Sequence, residues 1–190
     1  MKKSIIFLFF WTLLLIIACN NKETNDNIVE PKEPLNEILL NSSFEKDGQP
    51  FNDGWYIRNE SLENYSTDVP ENGGQFSLVL KGDTLGLPGQ AARIILPAIM
   101  GNNIYKFSFR SRRQGSWGEV NMYIKTSDTS GYFTRSALVL DSTWTSYSFI
   151  DTIQTDEDDS LVFIIGGEHA WLPDGKVYFD LCKLEKINLN

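Results

Sequence analysis

The stretch Ile104-Tyr105-Lys106-Phe107-Ser108-Phe109-Arg110-Ser111-Arg112 alternates apolar and polar residues with a period of two. Successive side chains of a β-strand point to opposite faces, so this pattern predicts a strand with one buried and one exposed face. We expect its aromatic side chains in the core. The polar side chains should line the outer face: Lys106, Ser108, Arg110 and Arg112.

The same alternation recurs along the rest of the chain. It is found at residues 76–80, 93–96, 120–125, 137–140, 144–150, 161–165 and 177–184. Turn sequences such as Asn72-Gly73-Gly74 and Pro173-Asp174-Gly175 separate these segments, and no helical period follows the N-terminal block. Short strands with turns between them predict an all-β protein, a β-sandwich of two antiparallel sheets.

Length and charge limit the class of protein. The 190 residues include 17 Lys and Arg against 25 Asp and Glu, which gives a net charge of −8. An acidic chain with one histidine and no basic run argues against nucleic acid as a partner. Two cysteines are too few for a disulfide scaffold. The length fits one domain of about 150 residues with a short extension.

The N-terminus has the pattern of a targeting segment. Lys2 and Lys3 precede an apolar block at residues 4–18, which is shorter than the about 20 residues of a membrane-spanning helix. With Cys19 directly after Ala18, the segment resembles a bacterial lipoprotein signal peptide. The resemblance implies cleavage after residue 18 and a lipid on the Cys19 thiol, which would anchor the protein in a membrane. The alternative is an uncleaved N-terminal anchor.

The residues after Cys19 indicate which membrane would hold the anchor and how the folded domain is connected to it. Asn20 stands where inner-membrane retention signals usually have Asp, so the same resemblance implies the outer membrane, with the membrane face left open. Residues 19–34 read CNNKETNDNIVEPKEP, contain two prolines and predict a flexible tether. The folded domain is then expected at residues 35–190.

Segments spread along this domain share their order with one known family. Asn41-Ser42-Ser43-Phe44-Glu45 is followed by Gly54-Trp55, the strand at 105–112 is followed by residues 144–149, and the chain ends on residues 177–185. Together they resemble carbohydrate-binding modules of families four and nine, the galactose-binding-domain-like jelly rolls. The resemblance covers residues 38–187. It implies a jelly-roll β-sandwich that binds a polysaccharide or glycan without catalysis.

The same resemblance implies a structural calcium ion near the place where the two ends of the domain meet. Glu45 and Asp180 are the matching carboxylates in this sequence, and Ca²⁺ prefers carboxylate and carbonyl oxygens. Many members have a second acid after the terminal Asp, whereas this chain has Leu181. The alternative is that the two carboxylates cap turns or pair with Lys46 and Lys183.

A sugar site needs flat aromatic faces for the C–H side of the ring and polar side chains for its hydroxyl groups. Trp117 and Trp171 stand beside glycine or proline between predicted strands, where side chains are often exposed. We therefore expect both to contact ligand, with Trp55 and Tyr132 as further candidates. Trp144 lies within a predicted strand and is expected in the core.

Polar partners for such a site follow from the alternation of two strands. If Val120, Met122 and Ile124 point inward, Asn121 and Tyr123 point outward. Arg110, Arg112, Asn121 and Tyr123 would then share one face and bind ligand. The alternative is a solvated sheet face on which arginine shields an edge.

The sequence offers little for catalysis. His169 is the only histidine, and no serine stands in a Gly-x-Ser-x-Gly elbow. Cys182 is expected to be a buried thiol.

Taken together, these features predict a lipid-anchored, non-catalytic glycan-binding module. The alternatives are an adhesion or assembly protein that binds another protein and, less favoured, a glycan hydrolase. The sequence makes no prediction of oligomeric state.

Overall fold

A computed structural model describes residues 36–58, 60–82, 89–125, 131–170 and 175–188, with the backbone alone described at 132, 133 and 168–170. Pro34–Asn190 forms one compact unit. The predicted signal peptide (1–18), the predicted lipidation site Cys19 and the predicted tether (19–34) lie outside the described residues, as does Trp171. Within the described ranges, no helix has the length and apolar character needed to cross a membrane.

Thirteen strands and one short 3₁₀ helix, η1, make up the described secondary structure. The strands are β1 (Glu37–Ser42), β2 (Glu45–Lys46), β3 (Gln49–Pro50), β4 (Tyr56–Ile57), β5 (Tyr65–Ser66), β6 (Ser77–Lys81), β7 (Ala91–Pro97), β8 (Gly101–Gln114), β9 (Ser116–Lys125), β10 (Gly131–Val139), β11 (Thr145–Thr155), β12 (Ser160–Ala170) and β13 (Lys176–Ile187), and η1 is Leu62–Asn64.

The long strands form two antiparallel sheets. One has six strands, in the order β11-β8-β13-β6-β5, with β1 also paired to β13. The other has five strands, in the order β10-β9-β12-β7-β4. Strand β13 pairs with β6 through residues 176–179 and with β1 through residues 182–186. The prediction of an all-β sandwich with two antiparallel sheets is therefore confirmed.

The core lies between the two sheets. Phe107 on β8 stacks on Phe163 on β12, with ring centroids 4.7 Å apart. The first belongs to the six-stranded sheet and the second to the five-stranded sheet, so this pair joins the two layers. Burial of each such ring contributes roughly 1.5–3 kcal/mol to stability. The predicted inward face of residues 105–111 is confirmed by the burial of Tyr105, Phe107 and Phe109.

The connection between β8 and β9 corrects one expectation. Gly115 has a φ of +65°, which glycine adopts without strain, and it separates β8 in the six-stranded sheet from β9 in the five-stranded sheet. Consecutive strands here cross between the layers instead of pairing. The outward side chains of β8 and β9 therefore lie on opposite outer faces of the sandwich. The expectation that Arg110 and Arg112 share a face with Asn121 and Tyr123 is wrong.

Candidate functional site

A transverse row of five side chains crosses the outer face of the five-stranded sheet. Arg93 on β7 lies opposite Tyr56 on one side and Ile164 on the other. Ile164 in turn lies opposite Asn121, and Asn121 lies opposite Ser136 on β10. We call Tyr56, Arg93, Ile164, Asn121 and Ser136 the Tyr56 row. Because directly opposite residues of an antiparallel pair share a face, these side chains form one continuous strip.

Tyr56 is the aromatic side chain of this strip, and it is exposed. Strand alternation buries Trp55 and Ile57 on either side of it, at 1% and 4% exposure, and leaves Tyr56 62% exposed. The guanidinium carbon of Arg93 lies 5.6 Å from the centroid of the Tyr56 ring, within range of a cation–π contact. This contact helps to hold both planar groups against the sheet.

Rows on either side add apolar and small residues. Ile95 lies opposite Val162, and Val162 lies opposite Tyr123 in the next row. On the other side, Gly166 lies between Ala91 and Glu119. The small residues Ala91 and Gly166 keep the surface low beside Arg93 and Ile164.

The arrangement suits a ligand that is apolar on its flat sides and polar at its edges. The Tyr56 ring and Ile164 offer apolar surface. Arg93 supplies charged donors, while the Asn121 amide supplies both donors and an acceptor. Groups of these two kinds on one rigid sheet are the usual composition of a small-molecule binding surface.

Three of the predicted site residues lie on this face. Asn121 and Tyr123 point outward from β9, and both are half-buried. Trp117 lies inside β9 rather than in a loop between strands, so the expected reason for its exposure is wrong. It is nevertheless half-buried on the outward side of that strand. The backbone of Tyr132 lies opposite Ile124 in β10, and its side chain is outside the description.

Trp55 corrects another expectation. Its side chain is buried and packs against Phe44, with ring centroids 6.0 Å apart, so it belongs to the core and is closed to ligand. The residue that sequence analysis missed is its neighbour Tyr56. Position parity is the signal that could have found it, since an inward Trp55 in a strand requires an outward Tyr56.

Arg112 lies on the opposite outer face, in a cluster over the six-stranded sheet. Its guanidinium carbon is 3.9 Å from the centroid of the Tyr178 ring, and the group forms an ion pair with Asp68. The Trp144 Nε1–H donates to Asp68 Oδ1 at 2.9 Å. The expectation that Trp144 is a core residue is therefore wrong, because it is half-buried on the outer face just before β11. We call these four residues the Arg112 cluster.

The two residues expected to bind calcium lie close to one turn. Glu45 Oε2 accepts hydrogen bonds from the backbone N–H groups of Gln75, at 2.5 Å, and Phe76, at 3.0 Å. A Cβ atom on Gly74 would overlap the Glu45 carboxylate, and one on Gly73 would overlap Asp180 Oδ2. The turn therefore touches both carboxyl groups and needs glycine at both positions.

Asp180 is fully buried on β13. Its Oδ1 accepts a hydrogen bond from the Leu181 N–H at 2.7 Å, while Oδ2 has no hydrogen-bond partner among the described residues. Burial raises the pKa of Asp180 to about 7, and the negative charge of Glu45 adds to this effect. The Leu181 N–H and Arg110 oppose it. Lys183 was a possible partner of the Glu45 and Asp180 carboxylates. Its ammonium group instead forms an ion pair with Glu185, at 2.9 Å.

These observations test whether a calcium ion fits the chain. A buried carboxyl oxygen without a partner, next to a second carboxylate, is a group that a cation would satisfy. In the part of the chain that is described, no three His, Cys, Asp or Glu side chains come together as a metal cluster. The remaining ligands would therefore have to be backbone carbonyl groups or water, which calcium accepts.

No protein-family model and no curated protein sequence matches this chain. Solved structures do match. The chain is similar to the CBM22-1 xylan-binding domain of Paenibacillus barcinonensis Xyn10C, with a TM-score of 0.58 and 14% identity, covering 84% of this chain and 100% of that one.

It is also similar to the CBM22-1-GH10 modules of Clostridium thermocellum xylanase 10B, solved with xylohexaose, with a TM-score of 0.53 and 13% identity over 82% of this chain and 30% of that one. A third match is the enzymatically active domain of the bacteriophage CBA120 tailspike protein 4, with a TM-score of 0.52 and 11% identity over 70% of this chain and 19% of that one. At these identities the similarity shows the fold, a jelly-roll β-sandwich of the kind found in carbohydrate-binding modules.

Proposed function

We propose that this protein is a non-catalytic glycan-binding module that holds its ligand on the outer face of the five-stranded sheet. The observation that carries the proposal is the Tyr56 row, in which an exposed tyrosine lies beside an arginine, and Ile164 separates that arginine from an asparagine, all across one sheet. The xylan-binding domain that shares this fold supports it, since the name of that domain states its ligand.

Each member of the row has a physical task in this proposal. The Tyr56 ring stacks on the C–H side of a sugar ring, and Arg93 holds the tyrosine in place while donating to hydroxyl groups. Asn121 donates to and accepts from neighbouring hydroxyl groups. Tyr123 extends the aromatic surface in the adjoining row, beside Val162. The face is a strip across the strands and therefore suits a chain of sugars.

We further propose that Cys19 carries lipid and that the tether at 19–34 holds the domain away from an outer membrane. The basis is the N-terminal sequence, with an apolar block followed by cysteine. Single-site sugar binding by exposed aromatic faces is weak, and many copies on one surface would act together by avidity.

A structural calcium ion held by Glu45 and Asp180 completes the proposal. When bound, the ion would supply positive charge between two carboxyl groups that otherwise repel each other. Glu45 and Asp180 lie outside the Tyr56 row, so this ion would stabilise the fold and take no part in sugar contact.

Affinity electrophoresis tests the glycan proposal. The Pro34–Asn190 unit would be run through gels that contain xylan, β-glucan, galactan or mannan. We expect at least one polysaccharide to retard the wild-type protein and the Tyr56→Ala, Arg93→Ala double variant to run unretarded. Leu62→Ala is the matched control, because Leu62 is 82% exposed in η1, off the sheet. Absence of retardation on every gel, or equal retardation of the double variant, would overturn the proposal.

A second candidate is an adhesion or assembly protein that binds another protein through the same face. Ile95 and Leu138 favour it, because they are 47% and 48% exposed on that face. It predicts that Ile95→Ser abolishes capture of a protein partner while no polysaccharide retards the protein. Release of sugar products from the panel would instead indicate a hydrolase.

A further inference from the structure

We propose that the outer face of the six-stranded sheet carries a second site, which binds a tetrahedral oxyanion such as a sulfate or phosphate group. The site is a depression of about 290 Å³ over β8 and β11. Its polar lining is Lys106, Ser108 and Arg110 from β8 and Ser146 and Ser148 from β11. It lies on the opposite outer face from the Tyr56 row.

Strand register brings these side chains together. Ser108 lies directly opposite Ser148, and Arg110 lies directly opposite Ser146. Lys106 and Arg110 stand two positions on either side of Ser108, so their Cα atoms are about 13 Å apart at 3.3 Å per residue. Long cationic side chains at that spacing flank the two central serine hydroxyl groups. Leu181 adds apolar surface to the wall.

Neither cation forms an ion pair in the part of the chain that is described. No ion pair there includes Lys106 or Arg110, and Arg110 Nε is buried without a hydrogen-bond acceptor. The hydroxyl groups of Ser108, Ser146 and Ser148 likewise make no hydrogen bond to a described residue. A buried cationic donor without an acceptor is costly, and an anion in the depression would satisfy it.

Three other charged residues, Asp180, Lys183 and Glu185, lie on β13 beside the depression. Lys183 and Glu185 project beside Ser108 and Lys106 but neutralise each other in an ion pair at 2.9 Å. Asp180 lies opposite Arg110 and attracts it electrostatically without forming an ion pair. Two positive charges therefore face the depression, with one buried acid beside Arg110 on β13, and the depression favours an anion.

The donor set selects the chemistry of that anion. A guanidinium group, an ammonium group and three hydroxyl groups are all hydrogen-bond donors, and they lie on several sides of one small space. An oxyanion with three or four acceptor oxygens can use donors on several sides, whereas chloride lacks such directed acceptors. The group could be free in solution or be carried by an acidic polysaccharide as a sulfate ester.

Amide chemical shifts of the ¹⁵N-labelled Pro34–Asn190 unit would test the site, with sodium sulfate compared with sodium chloride at equal ionic strength. We expect saturable shifts at Ser108, Arg110 and Ser148 with sulfate only. The Lys106→Gln, Arg110→Gln double variant should bind sulfate at least tenfold more weakly, because each charge-assisted hydrogen bond contributes about a factor of ten. The Lys125→Gln, Arg135→Gln variant makes the same charge change on the other sheet and should bind like wild type.

The Arg110→Gln change could weaken sulfate binding indirectly, by altering the buried Asp180 opposite it. Two variants that keep Arg110 control for this effect. Lys106→Gln and Ser148→Ala leave Arg110 in place, and each should weaken sulfate binding severalfold with an unchanged melting temperature. Equal shifts with sulfate and chloride, or wild-type affinity in the double variant, would overturn the proposal. These results do not depend on the Tyr56 face, so failure here and failure of the glycan proposal are separate outcomes.

The source of the oxyanion is distinguished by a polymer. Dextran sulfate is compared with sodium sulfate at the same sulfate concentration, and neutral dextran is the control. Tighter binding of dextran sulfate, lost in the Lys106→Gln, Arg110→Gln variant, supports a sulfate group on a polysaccharide. Equal binding of the two sulfates supports a free anion in the same site.

Discussion

Gly73 passes directly over the carboxyl group of Asp180, so that a Cβ atom on residue 73 would overlap Asp180 Oδ2. The turn that contains Gly73 is closed by a hydrogen bond from its N–H to the Pro70 carbonyl oxygen at 2.9 Å. The same added atom would overlap the Pro70 ring. The backbone of the turn is therefore in direct contact with the Asp180 side chain of the last strand, β13.

Gly73→Ala should destabilise the protein by about 2 kcal/mol, because the added methyl group must displace either the turn or the buried carboxyl group. Urea denaturation of the Pro34–Asn190 unit measures the change. Glu71→Ala, at an exposed position of the same turn, should change the unfolding free energy by about 0.5 kcal/mol or less. Equal midpoints for the two variants would show that residue 73 has free space.

Calcium should raise the melting temperature of the wild-type protein. At a concentration 100 times the dissociation constant, a ligand of the folded state stabilises it by about 2.7 kcal/mol, which corresponds to about 5–10 °C for a domain of this size. Asp180→Asn should abolish the rise, whereas Asp158→Asn, at an exposed position, should keep it. A melting temperature that chelator and calcium leave unchanged in wild type would remove the calcium proposal.

The Asp180 carboxyl group predicts a pH dependence in the presence of chelator. Its pKa of about 7 in the folded state lies above the ordinary value of 3.8 because the group is buried. Between these values the folded state binds more protons than the unfolded state, so stability falls as pH rises from about 4 to about 7. The loss is on the order of 4 kcal/mol and is complete once the pH exceeds the folded-state pKa of about 7.

Urea midpoints in chelator, compared between wild type and Asp180→Asn, isolate this contribution from that of the other carboxyl groups. Arg110, which lowers the pKa, and Glu45, which raises it, are present in both proteins. The difference in unfolding free energy between wild type and Asp180→Asn should change by about 4 kcal/mol between about pH 4 and pH 7. A difference that does not vary with pH would show that Asp180 ionises normally.

The sequence of this chain predicts which side chains of a strand point inward and which point outward. It does not predict to which of the two sheets a strand belongs. The period-two pattern of residues 105–112 correctly separated buried Phe107 and Phe109 from outward Arg110 and Arg112. The same pattern in residues 120–125 correctly placed Asn121 outward. Whether two consecutive strands pair or cross between layers depends on the path of the Gly115 connection and on long-range contacts, which local alternation does not contain.

Residue type misled the site prediction where parity would have helped. Trp55 was expected at the surface and is buried, while Trp144 was expected in the core and lies on the outer face. Trp144 has the parity of Ser146, which points outward, and the opposite parity of buried Phe149. A large aromatic residue can thus cover an outer face when a polar partner satisfies its N–H, as Asp68 does here.

Replacement of Arg112 by lysine should destabilise the protein. Its planar guanidinium group lies on the Tyr178 ring and forms an ion pair with Asp68, and a lysine ammonium group cannot satisfy both geometries. We expect Arg112→Lys to lower the unfolding free energy by about 1 kcal/mol, since the partly exposed ion pair itself contributes little and the stacked contact contributes most. Arg135→Lys, at an exposed position of β10, should have no measurable effect.

A double-mutant cycle separates the two contacts of Arg112. Arg112→Lys combined with Asp68→Asn reports the ion pair, and Arg112→Lys combined with Tyr178→Leu reports the stacking on the ring. Asparagine retains an oxygen that can accept from Trp144, so Asp68→Asn removes the charge of the ion pair without removing that acceptor. A larger coupling energy with Tyr178 than with Asp68 is expected. The reverse order would mean that charge, rather than ring contact, holds the Arg112 cluster on the sheet.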